Sequence, residues 1–147
     1  MEIRIRTGSP AEACALQAQI PELLPPYPLS RYEARLAGPR SLVLIAEADG
    51  VPAAFKCGYD REPGAGWWYS WMGGVLPAFR RLGLAARLAD AQEAQLRAWG
   101  IRRVRVKTRN SHRAMLLFAI GRGYQLVSVE PREAAAEHRV WLEKELQ

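Results

Sequence analysis

Val75-Leu76-Pro77-Ala78-Phe79-Arg80-Arg81-Leu82-Gly83-Leu84-Ala85-Ala86 runs from the end of an aromatic segment into the head of a long helical pattern. A glycine with small residues after it lets the main chain approach a ligand closely. The first N–H groups of the helix that follows point outward with the positive end of its dipole, so the turn is built to hold an anion. Arg80 and Arg81 add charge-assisted donors suited to phosphate oxygens. Two common nucleotide cradles are excluded, because the chain has neither Gly-x-x-x-x-Gly-Lys-Ser/Thr nor Gly-x-Gly-x-x-Gly after a strand.

Downstream, Ala85, Leu88, Ala89, Gln92, Leu96 and Trp99 repeat at helical spacing, which predicts a helix from Gly83 to about Trp99 stopped by Gly100. Ile101 to Lys107 alternates as a strand. Ser111 is expected to cap a helix running to about Gly121, and strands follow over Tyr124 to Glu130 and His138 to Glu145.

Upstream, Trp67 to Val75 reads as an aromatic strand, with Gly73-Gly74 marking a bulge or a close approach of other atoms. Ser41 to Ala48 and Val51 to Tyr59 form a hairpin across Asp49-Gly50. Ser9, Pro10 and Glu12 make a capping box for a helix to about Ile20, and Ser30 with Glu33 suggests a second box for a short helix. Glu2 to Arg6 opens the chain as a strand. The order β, α, α, β, β, β, α, β, α, β, β predicts an α/β chain with an antiparallel first part and a parallel strand-helix-strand part, folded as a single domain over 1–147.

The stretch from Arg80 to Ala85 resembles the acetyl-CoA signature of the GNAT family of N-acetyltransferases, Arg/Gln-x-x-Gly-x-Gly/Ala, carried here by Arg80, Gly83 and Ala85 after Val75 and Pro77. Thr108, Asn110, Ala114, Met115, Leu117 and Gly123-Tyr124 resemble the unit that flanks the cofactor's other side in that family. Gly73-Gly74-Val75 before the signature and Asn110 with Met115-Leu116 after it resemble one branch of the family. The likeness covers most of Trp71 to Val127, while the N-terminal third matches in element order alone.

The resemblance implies a mixed, centrally splayed β-sheet flanked by helices. It implies that acetyl-CoA (coenzyme A) binds with its pyrophosphate on Arg80, Arg81, Leu82, Gly83, Leu84, Ala85 and Ala86. Pantetheine would enter between the strands Trp67 to Val75 and Ile101 to Lys107, pairing with Gly74 and Val75 and facing Asn110. The activity implied is direct acetyl transfer to a primary amine of a small molecule or peptide. The N–H of Val75 or its neighbour would polarise the carbonyl, without a metal.

The family's frequent tyrosine acid falls here at Phe118, and the position of a glutamate base falls at Tyr69, which needs a depressed pKa to act as a base and otherwise orients a water or the acceptor. The departure at Phe118 keeps open a module that binds acetyl-CoA without turnover. Trp67, Trp68 and Trp71 are candidates for an acceptor pocket that takes a cation or an apolar ring. Cys14 and Cys57 read as core residues, with no disulfide or zinc spacing.

A net charge of +6 favours an anionic partner. Arg102, Arg103 and Arg105 on one strand raise nucleic-acid binding as a rival, but no reader motif accompanies them, and the expectation is no nucleic-acid partner. No apolar stretch approaches the roughly 20 residues that span a bilayer, and Met1 to Arg4 lacks a signal peptide's apolar region, so a cytoplasmic protein without a membrane partner is expected. The resemblance also leaves room for a homodimer through the C-terminal strand around Trp141, a strand whose apolar face equally suits an ordinary core strand.

Overall fold

A computed structural model describes residues 1–147. Its strands are β1 (Ile3–Thr7), β2 (Leu42–Ala48), β3 (Val51–Tyr59), β4 (Trp68–Val75), β5 (Arg103–Arg109), β6 (Gln125–Glu130) and β7 (Arg139–Glu145). The helices are α1 (Pro10–Gln17), α2 (Leu29–Arg35), α3 (Leu84–Ala98) and α4 (Arg113–Gly121). All seven strands form one sheet in the order β1-β2-β3-β4-β5-β7-β6. Only β4 and β5 run parallel, as a crossover through α3 requires. No helix is long and apolar enough to cross a membrane.

Local chemistry explains several boundaries. Asp49 and Gly50 both take positive φ, 49° and 81°, which is the turn that joins β2 and β3 without splaying them. At the head of α1 the Glu12 N–H donates to Ser9 Oγ at 3.2 Å, and the Ser9 N–H donates to Glu12 Oε1 at 3.0 Å. The helix ends at Gln17 rather than Ile20, because Pro21 opens a separate one-turn helix, Pro21–Leu23. Buried Gln17 then pins the loop that follows, donating from Nε2 to Leu23 O at 3.1 Å and accepting from the Tyr27 N–H at 3.3 Å and from the Tyr32 hydroxyl.

Two expected caps are corrected. The box at Ser30 and Glu33 does not form, since Pro28 precedes the first helical residue of α2 and its carbonyl takes the Arg31 N–H at 3.0 Å. Ser111 is likewise not the cap of α4; His112 holds that position, and the Ser111 N–H donates to Ala136 O at 2.9 Å.

The sheet separates two cores. On one face Leu84, Leu88 and Leu96 of α3 pack on Trp68, Val104 and Leu142. On the other, Leu16, Ile20 and Tyr32 from the α1–α2 region pack on Ile45, Phe55, Tyr69 and Trp71. Strand alternation therefore divides the tryptophans, with Trp68 under α3 and Trp67 and Trp71 under α1 and α2.

The bulge in β4 lies at Trp71, not at Gly73-Gly74. Cys57 pairs with Met72 and Gly58 with Ser70, which leaves Trp71 without an opposite residue. Of the two readings of the C-terminal strand, the structure shows the core strand. β7 sits between β5 and β6, and Trp141 is buried with its Nε1–H donated to Glu130 Oε2 at 2.7 Å, so neither offers a free edge.

Candidate functional site

The parallel ladder is short. Trp68, Tyr69 and Ser70 pair with Val104, Arg105 and Val106, after which β4 continues to Val75 without β5 beside it. The bulge at Trp71 bends the strand where this ladder stops, so the sheet opens in the middle. Ladder parity fixes which groups face the gap. The Leu76 N–H donates to Ala53 O at 2.9 Å, and Gly74 lies opposite Phe55 two residues along, so Gly74 turns its main-chain groups toward β3. Gly73 and Val75 turn theirs toward the gap. The expected use of Gly74 as a pairing residue is corrected to Gly73 on this ground. Gly74 has another reason to be glycine: a Cβ there would lie 2.8 Å from Ile20 Cδ1 and 3.1 Å from Leu23 Cδ1, under the one-turn helix.

At the end of the gap stands the head of α3. Arg81 and Gly83 take positive φ, 65° and 74°, and no side chain caps the helix. A left-handed arginine is uncommon and stores strain, which here turns the chain so that the first N–H groups of α3 face outward. A cleft of about 260 Å³ lies against this turn, lined by Val75, Phe79, Arg80, Arg81, Gly83, Leu84, Ala85, Ala86 and Phe118. The side chain of Leu84 is buried in the core under α3, which leaves its main chain for the cleft, whereas Leu82 is 41% exposed. Arg80 spans the mouth of the gap: its Nε donates to Val75 O at 3.2 Å and its guanidinium pairs with Glu22.

The other expected residues fall in different places. Phe118 on α4 forms an apolar wall of the cleft. Asn110 does not line it; its Nδ2 donates to Ala135 O at 3.1 Å and its N–H to His138 O at 2.8 Å, so it ties the end of β5 to the turn before β7. Tyr69 lies on the α1–α2 face, 5% exposed, with its ring 5.7 Å from Tyr59 and 5.5 Å from Trp141. Burial pushes its phenol up to about 12, so it stays protonated near neutrality, which favours the orienting role over that of a base.

Three contributors were not legible beforehand. Phe79 carries no sequence signal that separates a cleft wall from a core ring, the gap-facing side of Gly73 depends on the register, and Glu22 is distant in sequence from the Arg80 it pairs with. The gap thus joins a phosphate-sized basic turn on the α3 face to an aromatic wall on the α1–α2 face.

The sequence pattern of the acetyltransferase (GNAT) family matches residues 12–124. No curated protein sequence matches the chain at a significant level. Among solved structures, the chain is similar to the ribosomal-protein-S18-alanine N-acetyltransferase from Escherichia coli, with a TM-score of 0.83 at 16% identity over 99% of this chain and 94% of that one. It is also similar to Ard1 from Thermoplasma volcanium, with a TM-score of 0.81 at 15% identity over 100% and 99% of the two chains. A GNAT family acetyltransferase from Elizabethkingia anophelis with acetyl-CoA bound gives a TM-score of 0.73 at 14% identity over 98% of each chain. At these identities the likeness is one of fold.

Proposed function

Because the chain belongs to the acetyltransferase (GNAT) family, we propose that it moves an acetyl group from acetyl-CoA directly onto a primary amine of a small molecule or peptide. One observation carries this reading: an uncapped helix head adjoins an unpaired strand edge, so main-chain donors and acceptors for a phosphorylated, amide-bearing ligand lie in one continuous track. The N–H groups of Leu84, Ala85 and Ala86, with Arg80 and Arg81, suit the pyrophosphate. The gap-facing groups of Gly73 and Val75 suit the pantetheine amides, as an added strand suits a sheet edge. Phe118 and Phe79 supply apolar walls.

When bound, acetyl-CoA supplies an activated thioester. The Val75 N–H faces the gap and is the candidate donor to the carbonyl oxygen, a main-chain contribution that needs no titrating side chain. Tyr69 is a hydrogen-bond donor that orients the acceptor or a water. Attack requires the neutral amine, and with neither Tyr69 nor Phe118 taking up a proton near neutrality, water would accept the proton lost as the C–N bond forms and the C–S bond breaks, coenzyme A leaving as the thiolate and taking its proton from solvent. Rate enhancement then rests on holding the amine against the carbonyl and on fixed main-chain dipoles.

The test is calorimetric titration with acetyl-CoA followed by thiol-release assays over a panel of primary amines. Saturable binding and acetylated product are expected. A well-folded protein that takes up no acetyl-CoA sinks the reading, and one that binds without turning over any amine leaves a binding module in its place.

Tyr69→Phe is expected to lower kcat/KM by about threefold to tenfold, the size of one neutral hydrogen bond. The acid limb of the pH profile should not move, because the phenol loses no proton below about 12. Loss of that limb in the variant would show that Tyr69 is the base after all.

A further inference from the structure

On the α1–α2 face, the gap opens onto a wall of rings. Trp71 stands 5.9 Å from Tyr27 and 6.0 Å from Tyr59, and Tyr59 leads on to Tyr69 and then Trp141. Tyr69 and Trp71 belong to β4, whereas Trp141 sits opposite Lys107 of β5, so the wall bridges both sides of the opening. Such a wall alone suits a cationic amine. Here the ring faces are already taken. Arg31 lies 4.5 Å over Tyr27, Arg35 5.0 Å over Trp71, and Arg61 5.1 Å over Tyr69 and 5.2 Å over Trp141.

These three guanidiniums are exposed, and none of the chain's ion pairs includes them. Of the carboxylates on β6 and β7, Glu130 pairs with Lys107 at 3.2 Å and accepts from the Trp141 indole at the wall itself, and Glu143 pairs with Arg105 at 2.8 Å, while Glu33, Asp60 and Glu62 are exposed beside the three arginines in sequence without pairing with them. A ligand reaching the gap from this face therefore meets three guanidiniums set over aromatic rings, donors suited to two-pronged contact with a carboxylate or phosphate.

Building on the acetyl-transfer reading, we infer that the acceptor is a small primary amine that also carries a carboxylate or phosphate, held by Arg31, Arg35 and Arg61 over the aromatic wall so that its amine enters the gap. Of the two acceptor groups open for the tryptophan pocket, a cation or an apolar ring, the guanidiniums over Trp71 and Trp141 disfavour the cation. A polyamine would place a second positive charge against three guanidiniums, none of them neutralised by an ion pair.

The test titrates three probes into protein saturated with coenzyme A, which permits binding without turnover: L-glutamate for the carboxylate, O-phosphoethanolamine for the phosphate, and spermidine for the cation. At least one anionic amine is expected to bind at least tenfold tighter than spermidine, and which one binds identifies the anionic group. Arg35→Ala with Arg61→Ala is expected to weaken that binding by about tenfold to hundredfold, the loss of charge-assisted contacts, and to leave coenzyme A affinity unchanged. Arg61→Lys should restore only part of it, since a point charge replaces a planar fork. Tighter binding of spermidine, no binding of either anionic amine, or indifference to the double substitution overturns the inference while acetyl transfer stands. Failure to take up coenzyme A is a separate result, which removes the acetyl-transfer reading and the inference with it.

Discussion

Gly83→Glu is expected to reduce acetyl-CoA affinity by at least about a hundredfold, or about 3 kcal/mol, in a protein that still folds. Gly83 sits at the head of α3 with φ 74° and ψ 18°, and a Cβ built there meets nothing within 4 Å. The new side chain therefore projects into the open cleft without clash. Its carboxylate is well placed to accept from the free N–H groups of Ala85 and Ala86, the donors assigned to the pyrophosphate, and it repels whatever phosphate remains. The left-handed conformation costs a non-glycine residue about 1–2 kcal/mol, a tolerable share of the roughly 5–15 kcal/mol that holds a domain of this kind. Gly83→Ala separates the two effects, since it carries the same backbone cost without the charge. Calorimetry on both variants, with circular dichroism to confirm folding, is the measurement. Equal losses in the two would assign the effect to backbone strain, and undiminished binding by Gly83→Glu would move the phosphate site away from α3.

The parts of the molecule that could be read from the chain are those set by near neighbours. Asp49-Gly50 dictates its own turn, Ser9 and Glu12 close their own box, and Gly100 ends α3 with a positive φ of 76°. The basic turn before α3 belongs to the same class, because its glycine and small residues carry their meaning locally. The exceptions are instructive. Ser30 and Ser111 have the right side chains for caps, but a residue caps a helix only where the chain enters it, and Pro28 and His112 hold those entries. The bulge at Trp71 depends on a strand more than ten residues away, and so does the parity that turns Gly73 rather than Gly74 to the gap. Arg80 finds Glu22, and Asn110 finds Ala135, through tertiary approach alone. The protonation of Tyr69 follows from its burial, and the rings beside it arrive from β3 as Tyr59, from β7 as Trp141 and from Trp67 just before β4. What near neighbours in the chain dictate was thus legible, while what depends on tertiary approach, strand register and side-chain surroundings alike, was not.

Gly58→Ala is expected to destabilise the fold by about 3 kcal/mol, more than its single methyl suggests. Gly58 lies where the β3–β4 register shifts, and a Cβ there would stand 2.2 Å from Tyr69 O and 2.4 Å from Trp68 Cη2. Neither neighbour can yield easily. The first is main chain in the short parallel ladder, and the second is a ring 1% exposed under α3, held by its Nε1–H donated to Arg40 O at 2.8 Å. Relief has to come from moving β3 away from β4 at the bulge, which lengthens ladder hydrogen bonds and shifts Trp71 and the gap-facing edge beyond it. In thermal unfolding the expected shift is a fall in Tm of about 6–12 °C, given about 2–4 °C per kcal/mol for a domain of this size. Gly38→Ala is the control, since a Cβ at Gly38 meets nothing within 4 Å and its φ lies outside the left-handed region. If Gly58→Ala melts with that control, the close approach of β3 to β4 is not what sets the bulge. If it melts early and also loses acetyl-CoA affinity at temperatures where it is folded, then the same contact that closes the sheet on one side of β4 is what holds it open on the other.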